Sequence, residues 1–542
     1  PPVLDNFYEQ TTTCCGYLEA GNAYEAGRQP QRDLTLAELQ SFYPRGAMTT
    51  EDAAARTNRF YDDGGDGLTL SELFSVQHAP ALRKLDVVAN EDDLALVGRL
   101  AFDPSVSASL EAAAGGASLL AAAGNGRVYA ADYTFLSAVA DAGAVTPGYN
   151  VSAPLAVFFE DSRGLRTVAI EMRSVDADPA SPVDRYTAMD ANPTDWLYAR
   201  LRLRHAAYVT QGLYHVASLH AAPVAVFSAA HVHLDQNHPV TEVLSELIER
   251  GAIVSCGVET TGDADAGSAL AAPGGASMSS AVYDHFDVDI RGDYTLWSSM
   301  LWVTNSPNNL RVGGTTTIQA LCDEFPILET WNFPRYLAKR NMGHLDLVGS
   351  AVPRASMLKV WDAALDLATQ LMKIGRPAGD KALTEAEKAF LAAVVDRDGA
   401  NLAPAGPLET TDDMAELVAT VLFQKLTHSM TRCYMLTAPI FMNKLAMPST
   451  LRNLPAGKPN LATVDEIAHL MAGSRDTVDD MGVTGAALSF PAQNIWHEDR
   501  QPLYVRATEV AYYDWLVDLK DTMGADDTLK LFLPCMEVGA DV

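Results

Sequence analysis

YHVASLHAAPVAVFSAAHVHLDQNHP runs from Tyr214 to Pro239 and holds five of the chain's twelve histidines. His215 and His220 stand five residues apart in an otherwise apolar stretch. A regular α-helix turns about 100° per residue, so this spacing leaves the two imidazoles well apart around the axis. A π-type turn, with its i→i+5 bonds, brings them back toward one face, and such turns often mark functional sites. Two imidazoles converging inside an apolar helix point to a metal site.

Working outward, His231, His233 and His238 follow within the same stretch, and His428 stands late in LTHSMTRCYM (Leu426–Met435). The segment leading to His428, ETTDDMAELVATVLFQKLTHSM, offers Thr410 or Thr411 as an N-cap, with Asp412 and Asp413 favouring the first turn. Its Leu417, Val418, Val421, Leu422 and Leu426 recur at helical spacing. Each buried imidazole needs a polar partner, and one divalent ion would serve His215, His220 and His428 together. Imidazole and carboxylate ligands without thiolate suit non-haem iron, manganese or zinc. A histidine on an apolar helix is also commonly a hydrogen-bonded core residue, and spacing alone does not bring residue 428 to the other two.

Composition narrows the field. The chain has 542 residues, 48% of them hydrophobic and 20% charged, as expected of a globular protein with a large core. A formal charge of −30 argues against nucleic acid or an anionic membrane surface as the main partner. No run is long and apolar enough for a transmembrane segment, because the best candidate, Ala221–Ala230, is short and contains Pro223. Peripheral membrane contact stays open. Cys14, Cys15, Cys256, Cys322, Cys433 and Cys535 form no CxxC pair, which fits neither a disulfide framework nor a cysteine zinc site. The sequence starts at Pro1 rather than Met, consistent with trimming, and the compartment is not legible.

The first hundred residues are polar and turn-rich. DDGGDGLTLSEL (Asp62–Leu73) echoes a calcium loop through Asp62, Asp66, Gly67 and Glu72, but its last acidic residue arrives one position early, so an Asp/Gly turn is the better reading. Ala112–Ala123 reads as a helix or a flexible loop. Arg127–Leu136, Ala153–Glu160 and Arg166–Met172 read as strands, because β-branched and aromatic residues cluster there between turn signals. From Asp195 onward the pattern is mainly helical. Gly262–Ser280 and Gly375–Pro407, with Pro377, Pro404 and Pro407, read as connections.

Several blocks now carry a family resemblance. DWLYARLRLRHAAYVTQGLYHVASLH (Asp195–His220) resembles the lipoxygenase signature, in which a Trp-Leu-x-Ala segment precedes two iron-binding histidines. FSAAHVHLDQNHPVTEVLSEL (Phe227–Leu247) resembles the family's next block. SMSSAVY (Ser277–Tyr283), FPRYLAKRNM (Phe333–Met342) and MPSTLRNLP (Met447–Pro455) are similar to further lipoxygenase stretches. SAPLAVFFEDSRGLRTVAIEM (Ser152–Met172) resembles the strand pair ahead of the metal helix. The matches keep family order across roughly residues 125–542.

The resemblance implies a mainly α fold: a large helical catalytic domain over 121–542 with a small β element and two long central helices carrying the metal ligands. Residues 1–120 would form an N-terminal region that is part of, or packed on, that domain, with no counterpart of the family's lipid-binding β-barrel. His215 and His220 match the first two iron ligands, His428 the third, and the α-carboxylate of Val542 the last, where the family usually ends in isoleucine. LKLFLPCMEVGADV (Leu529–Val542) is apolar enough at its start to dock. One position departs: the family commonly has Asn, His or Ser four residues after the third histidine, and here it is Arg432. A guanidinium has no lone pair for a metal, so water fills that coordination position or Arg432 pairs with a carboxylate.

The activity implied is dioxygenation of a polyunsaturated fatty acid to a hydroperoxide by a monomeric enzyme. A non-haem iron centre abstracts a bis-allylic hydrogen, and dioxygen adds to the resulting radical. Iron is the expected cofactor, with manganese next and zinc after it. Two rivals are carried: a fatty-acid hydroperoxide lyase or isomerase on the same fold, raised by Arg432, and a non-catalytic lipid-binding protein with a relic metal site. His231, His233 and His238 are expected in packing or hydrogen bonding. Arg200, Arg204 and Arg250 are candidates for meeting the substrate carboxylate, and Gly251, Ala252 and Gly257 for the far channel wall.

Overall fold

The computed structural model describes residues 82–116, 118–134, 149–150, 153–162, 164–172, 183–190, 192–214, 222–245, 353–395, 407–437, 451–452, 466 and 507–533. The Asp62–Glu72 turn, the Gly262–Ser280 connection and the blocks at 277–283 and 333–342 lie outside them.

A five-stranded antiparallel sheet forms the β element, in the order β1 (Leu82–Lys84), β2 (Val128–Asp132), β4 (Leu155–Asp161), β5 (Gly164–Met172) and β6 (Asp184–Tyr186). β3 (Tyr149–Asn150) pairs separately with β7 (Leu451–Arg452). The central strand β4 reads LAVFFED, and Ala156 to Phe159 are all buried, as an apolar run covered on both faces requires. It joins β5 through a tight hairpin in which Asp161 pairs with Gly164, whose φ of 104° suits glycine.

Three helices cover one face of the sheet: α1 (Glu91–Ala101), α2 (Pro104–Ala114) and α3 (Leu119–Gly124). Val97, Leu100, Val106, Leu110, Leu119 and Ala122 pack with Val128, Ala130, Val157 and Phe159 in one core cluster. Asn90 and Asp103 cap α1 and α2 by accepting from main-chain N–H groups in the first turns. The Ala112–Ala123 stretch is neither one helix nor a loop. It is the end of α2 and the start of α3, broken where Gly115 (φ 69°) and Gly116 (φ 99°) take left-handed backbone.

The rest is helical. α4 (Pro193–Tyr214) packs on β5 and β6, with Tyr186 and Tyr198 ring centroids 6.2 Å apart. α5 (Ala222–His233), α6 (Arg354–Leu371), α7 (Glu385–Val395), α8 (Thr411–Thr437) and α9 (Ala507–Ala525) follow, and a 3₁₀ turn spans Leu529–Phe532. The architecture is thus mainly α with a small antiparallel sheet, as the sequence predicts. α8, 27 residues long, is buried without interruption from Leu417 to Thr427. Most of that run is apolar, and the Thr420 and Thr427 hydroxyls donate to the helix's own Glu416 and Gln424 carbonyls, so the helix can lie in a core. α6 lies against it, with Trp361 meeting Phe423 edge-on at 5.7 Å, and α5 packs on both α7 and α8.

One expectation needs correcting. Gly375–Pro407 is not a plain connection, because α7 lies within it. Thr384 and Glu387 form a capping box: the Thr384 N–H donates to Glu387 Oε2 at 2.8 Å, and the Glu387 N–H donates back to Thr384 Oγ1 at 3.3 Å. That box starts a helix despite the prolines and glycines on either side. No described helix is long and apolar enough to cross a membrane.

Candidate metal centre

The expected ligand positions follow α4, precede α5 and fall within α8. α4 runs to Tyr214, the residue before His215. It is buried from Thr194 through Leu203, polar residues included, as a core helix must be. His215 and His220, and with them the expected π-type turn, lie outside the described residues. α5 starts at Ala222, two residues beyond His220, with Pro223 in its first turn, where its missing N–H costs no helical bond. α5 buries Val226, Phe227 and Ala230 and packs directly on α8.

His428 lies on α8, between buried Thr427 and buried Met430. Arg432 is four residues further along, so it shares a helix face with His428 one turn away. The N-cap of α8 is Thr410, whose hydroxyl accepts from the Asp413 N–H at 3.4 Å while Asp413 Oδ2 accepts from the Thr410 N–H at 2.8 Å. The fold therefore sets the helix that follows His220 against the helix that carries His428. Two segments about two hundred residues apart in sequence are neighbours in space.

The turn after α9 reaches the same helix. The Leu529–Phe532 turn packs on both α9 and α8, with Leu529 fully buried. Val542 lies outside the described residues. Among the described residues no three histidine, cysteine, aspartate or glutamate side chains come together to hold a metal. The residues expected as ligands, three imidazoles and a carboxylate, fit a non-haem metal in their chemistry, and the described helices beside them have mostly apolar buried stretches. A cleft of about 440 Å³ lined by Met372, Lys373, Arg376, Lys381, Thr411 and Asp412 sits at the opposite end of α8. Seventeen residues of helix place it about 25 Å along the axis from residue 428, so it is not part of this centre.

Of the three histidines expected in packing or hydrogen bonding, His231 and His238 are hydrogen-bonded. His231 Nε2 lies 3.0 Å from Ser245 Oγ, and its ring meets Phe227 edge-on at 4.4 Å. His238 Nδ1 accepts from the Val240 N–H at 3.2 Å, which makes Nε2 the protonated nitrogen of the neutral ring, 3.1 Å from Glu387 Oε1. Glu387, 1% exposed, also receives Arg376. Burial works to raise its pKa, but His238, Arg376 and Thr384 outweigh that and hold the carboxyl well below the usual range. This cluster ties the segment after α5 to α7. His233 is half-exposed, and His205 is 1% exposed on α4.

Of the arginine candidates, Arg200 is buried at 4% exposure, with its guanidinium 5.9 Å from the Trp196 ring. Arg202, which the sequence did not single out, is equally buried and donates to the Tyr198 hydroxyl at 3.3 Å. The Arg204 side chain, Arg250, and the wall candidates Gly251, Ala252 and Gly257 lie outside the description.

No protein-family model matches the sequence, and no curated protein matches it. Solved structures do. A LOX deletion variant crystallised anaerobically with arachidonate aligns with 99% of this chain and 74% of its own, at 15% identity and a TM-score of 0.64. A calcium-dependent 11R-lipoxygenase aligns over 94% of this chain and 70% of its own, at 15% identity and a TM-score of 0.62. The manganese lipoxygenase of Gaeumannomyces graminis covers 96% of this chain and 84% of its own, at 16% identity and a TM-score of 0.59. The chain has the lipoxygenase fold.

Proposed function

We propose that the protein is a lipoxygenase-type dioxygenase converting a polyunsaturated fatty acid and dioxygen into a fatty-acid hydroperoxide. The observation that carries this reading is the packing of α5, which begins two residues after His220, against α8, which bears His428, within a lipoxygenase fold. In this reading His215, His220, His428 and the α-carboxylate of Val542 hold a non-haem iron, or manganese as in the manganese lipoxygenase of Gaeumannomyces graminis. Such a metal would supply the one-electron step by which a bis-allylic methylene loses a hydrogen atom.

The protein's own contribution is placement and exclusion of water. α4, buried from Thr194 to Leu203, and α8, buried from Leu417 to Thr427, would help to wall the centre from solvent, and apolar side chains around it would hold the acyl chain without competing donors. Arg432 shares the His428 face and cannot be a ligand. It leaves a coordination position to water or turns to a carboxylate, and it is the one feature favouring a lyase or isomerase acting on preformed hydroperoxide.

The test is elemental analysis of the purified protein with oxygen uptake on linoleic and arachidonic acids. Near-stoichiometric iron or manganese, oxygen uptake and a conjugated-diene product from the free acid are expected. Turnover of added hydroperoxide alone would transfer the proposal to the lyase or isomerase. Stoichiometric zinc without oxygen uptake would end both.

A further inference from the structure

The cleft at the start of α8 gathers donors that nothing in the fold uses. It opens where the loop after α6 passes the first turn of α8. That loop is pinned to the helix: the Thr411 N–H donates to the Lys381 carbonyl at 3.1 Å, and Lys381 Nζ pairs with Asp412. Of the other first-turn N–H groups, that of Asp413 donates to the Thr410 hydroxyl at 3.4 Å and that of Met414 to the Thr410 carbonyl at 3.2 Å. The Asp412 N–H is left without an acceptor among the described residues. An open N–H at the positive end of a 27-residue helix favours an anion. Thr411 points the same way independently. It is 4% exposed and lines the cleft, yet its hydroxyl has no hydrogen-bond partner among the described residues, where a buried hydroxyl ordinarily has one. On the facing wall Lys373 has no carboxylate partner among the described residues. The other two lining cations are engaged, Lys381 with Asp412, and Arg376 with Glu387 and the Ala382 carbonyl. Asp380, whose Oδ1 accepts from the Ala382 N–H at 3.0 Å, is the lining carboxylate with no basic partner among the described residues.

We propose that this cleft binds the phosphoryl group of a small phosphorylated molecule through the Lys373 ammonium, the Thr411 hydroxyl and the Asp412 N–H. The site stands apart from the dioxygenase reading and does not depend on it. A phosphoryl group brings three strong acceptor oxygens to the three donor groups that lack partners, and a carboxylate brings only two. The cleft, at about 440 Å³, is larger than a phosphoryl group, so an attached organic part has room beside it. Asp380 opposes the ligand's charge and Lys373 offsets it, so removing either charge moves affinity in opposite directions.

The experiment is equilibrium dialysis of the intact protein against labelled inorganic phosphate, at fixed ionic strength in chloride, with acetate as a competing carboxylate. Wild type is expected to take up one saturable equivalent that acetate at equal concentration does not displace. Lys373→Met and Thr411→Val are each expected to raise Kd about tenfold or more, the usual worth of a hydrogen bond to a charged group. Asp380→Asn is expected to tighten binding. Lys388→Met, which removes a lysine paired with Glu385 on α7, is expected to bind like wild type. Thr411→Val keeps the Thr410 cap, and if it nevertheless fails to fold, the exposed Lys373 carries the test alone. Absence of saturable phosphate binding in wild type overturns the site, and so does wild-type affinity in Lys373→Met or in folded Thr411→Val. Displacement by equal acetate overturns the phosphoryl assignment.

Discussion

The indole N–H of Trp515 donates to the main-chain carbonyl of Ala363 at 2.8 Å, joining α9 to α6 through a residue only 3% exposed. Because Ala363 lies inside α6, its carbonyl also serves the helix, so losing the indole does not orphan it. Trp515→Phe is expected to cost about 1 kcal/mol, and Trp515→Ala about 3–5 kcal/mol through the cavity it leaves. Urea unfolding of the two variants checks the difference.

Glu171 and Arg185 sit directly opposite on β5 and β6, and Glu171 Oε1 accepts from Arg185 Nη2 and from Arg99 Nη1, each at 2.6 Å. Arg185 reaches on to Asp103, the cap of α2, so one carboxylate binds the helical layer to the sheet edge. Glu171→Gln keeps the shape and loses the charge. It is expected to destabilise by about 2 kcal/mol, because hydrogen bonds to charged groups are worth about 1.5–3 kcal/mol. Glu171→Ala is expected to cost more, since it also removes a buried side chain and leaves Arg185 with Asp103 as its remaining carboxylate partner. Chemical denaturation at neutral pH distinguishes the two.

Acid should unfold the protein through two carboxyls in particular. Asp103 is held down to about 2 from its ordinary 3.8, chiefly by the Ser105 hydroxyl, with Arg185 adding to it. For Asp526, burial pushes upward, but Lys359, the Leu529 and Thr528 N–H groups and Ser356 bring it to about 2 from 3.8. A folded pKa below the unfolded one stabilises above the unfolded value and loses that contribution as pH falls through the folded one. The melting temperature is therefore expected to drop between about pH 4 and pH 2, and Asp103→Asn or Asp526→Asn should flatten that part of the profile.

Removing a proposed ligand should separate metal from fold. His428→Ala, His215→Ala and His220→Ala are each expected to lower bound metal by more than the roughly 10–100-fold that loss of an outer partner costs. Far-ultraviolet circular dichroism at room temperature should stay unchanged. Elemental analysis after dialysis reads the first, and equal metal content in all three variants and wild type would remove the centre.

Arg432→Asn offers the His428 face a side chain able to coordinate. The proposal expects a changed ratio of hydroperoxide to its rearrangement products, read by chromatography on linoleic acid. An unchanged ratio together with unchanged metal content would leave Arg432 with no part in the chemistry.

Local sequence carried the elements whose signals are local. The apolar recurrence at Leu417, Val418, Val421, Leu422 and Leu426, with acidic residues behind Thr410, marks α8, and the clustered branched and aromatic residues mark β2, β4 and β5. The α7 signal was also local, in the Thr384-x-x-Glu387 box, but neighbouring glycines and prolines outweighed it in the reading. The clusters around Asp526 and Glu387 had no such signal. Ser356 is 170 residues from Asp526, and His238 is 149 from Glu387, and nothing in either segment announces its partner.

By itself, then, the sequence determined α8 and the strands β2, β4 and β5, because backbone preference and the period of apolar residues act over a few neighbours. Only the tertiary structure decided that α5 lies on α8, that Asp526 grips α6, and that the turn after α9 rests on the helix bearing His428. Those contacts depend on how whole apolar faces pack and where buried charges find partners. Both are properties of the assembled core rather than of any one segment.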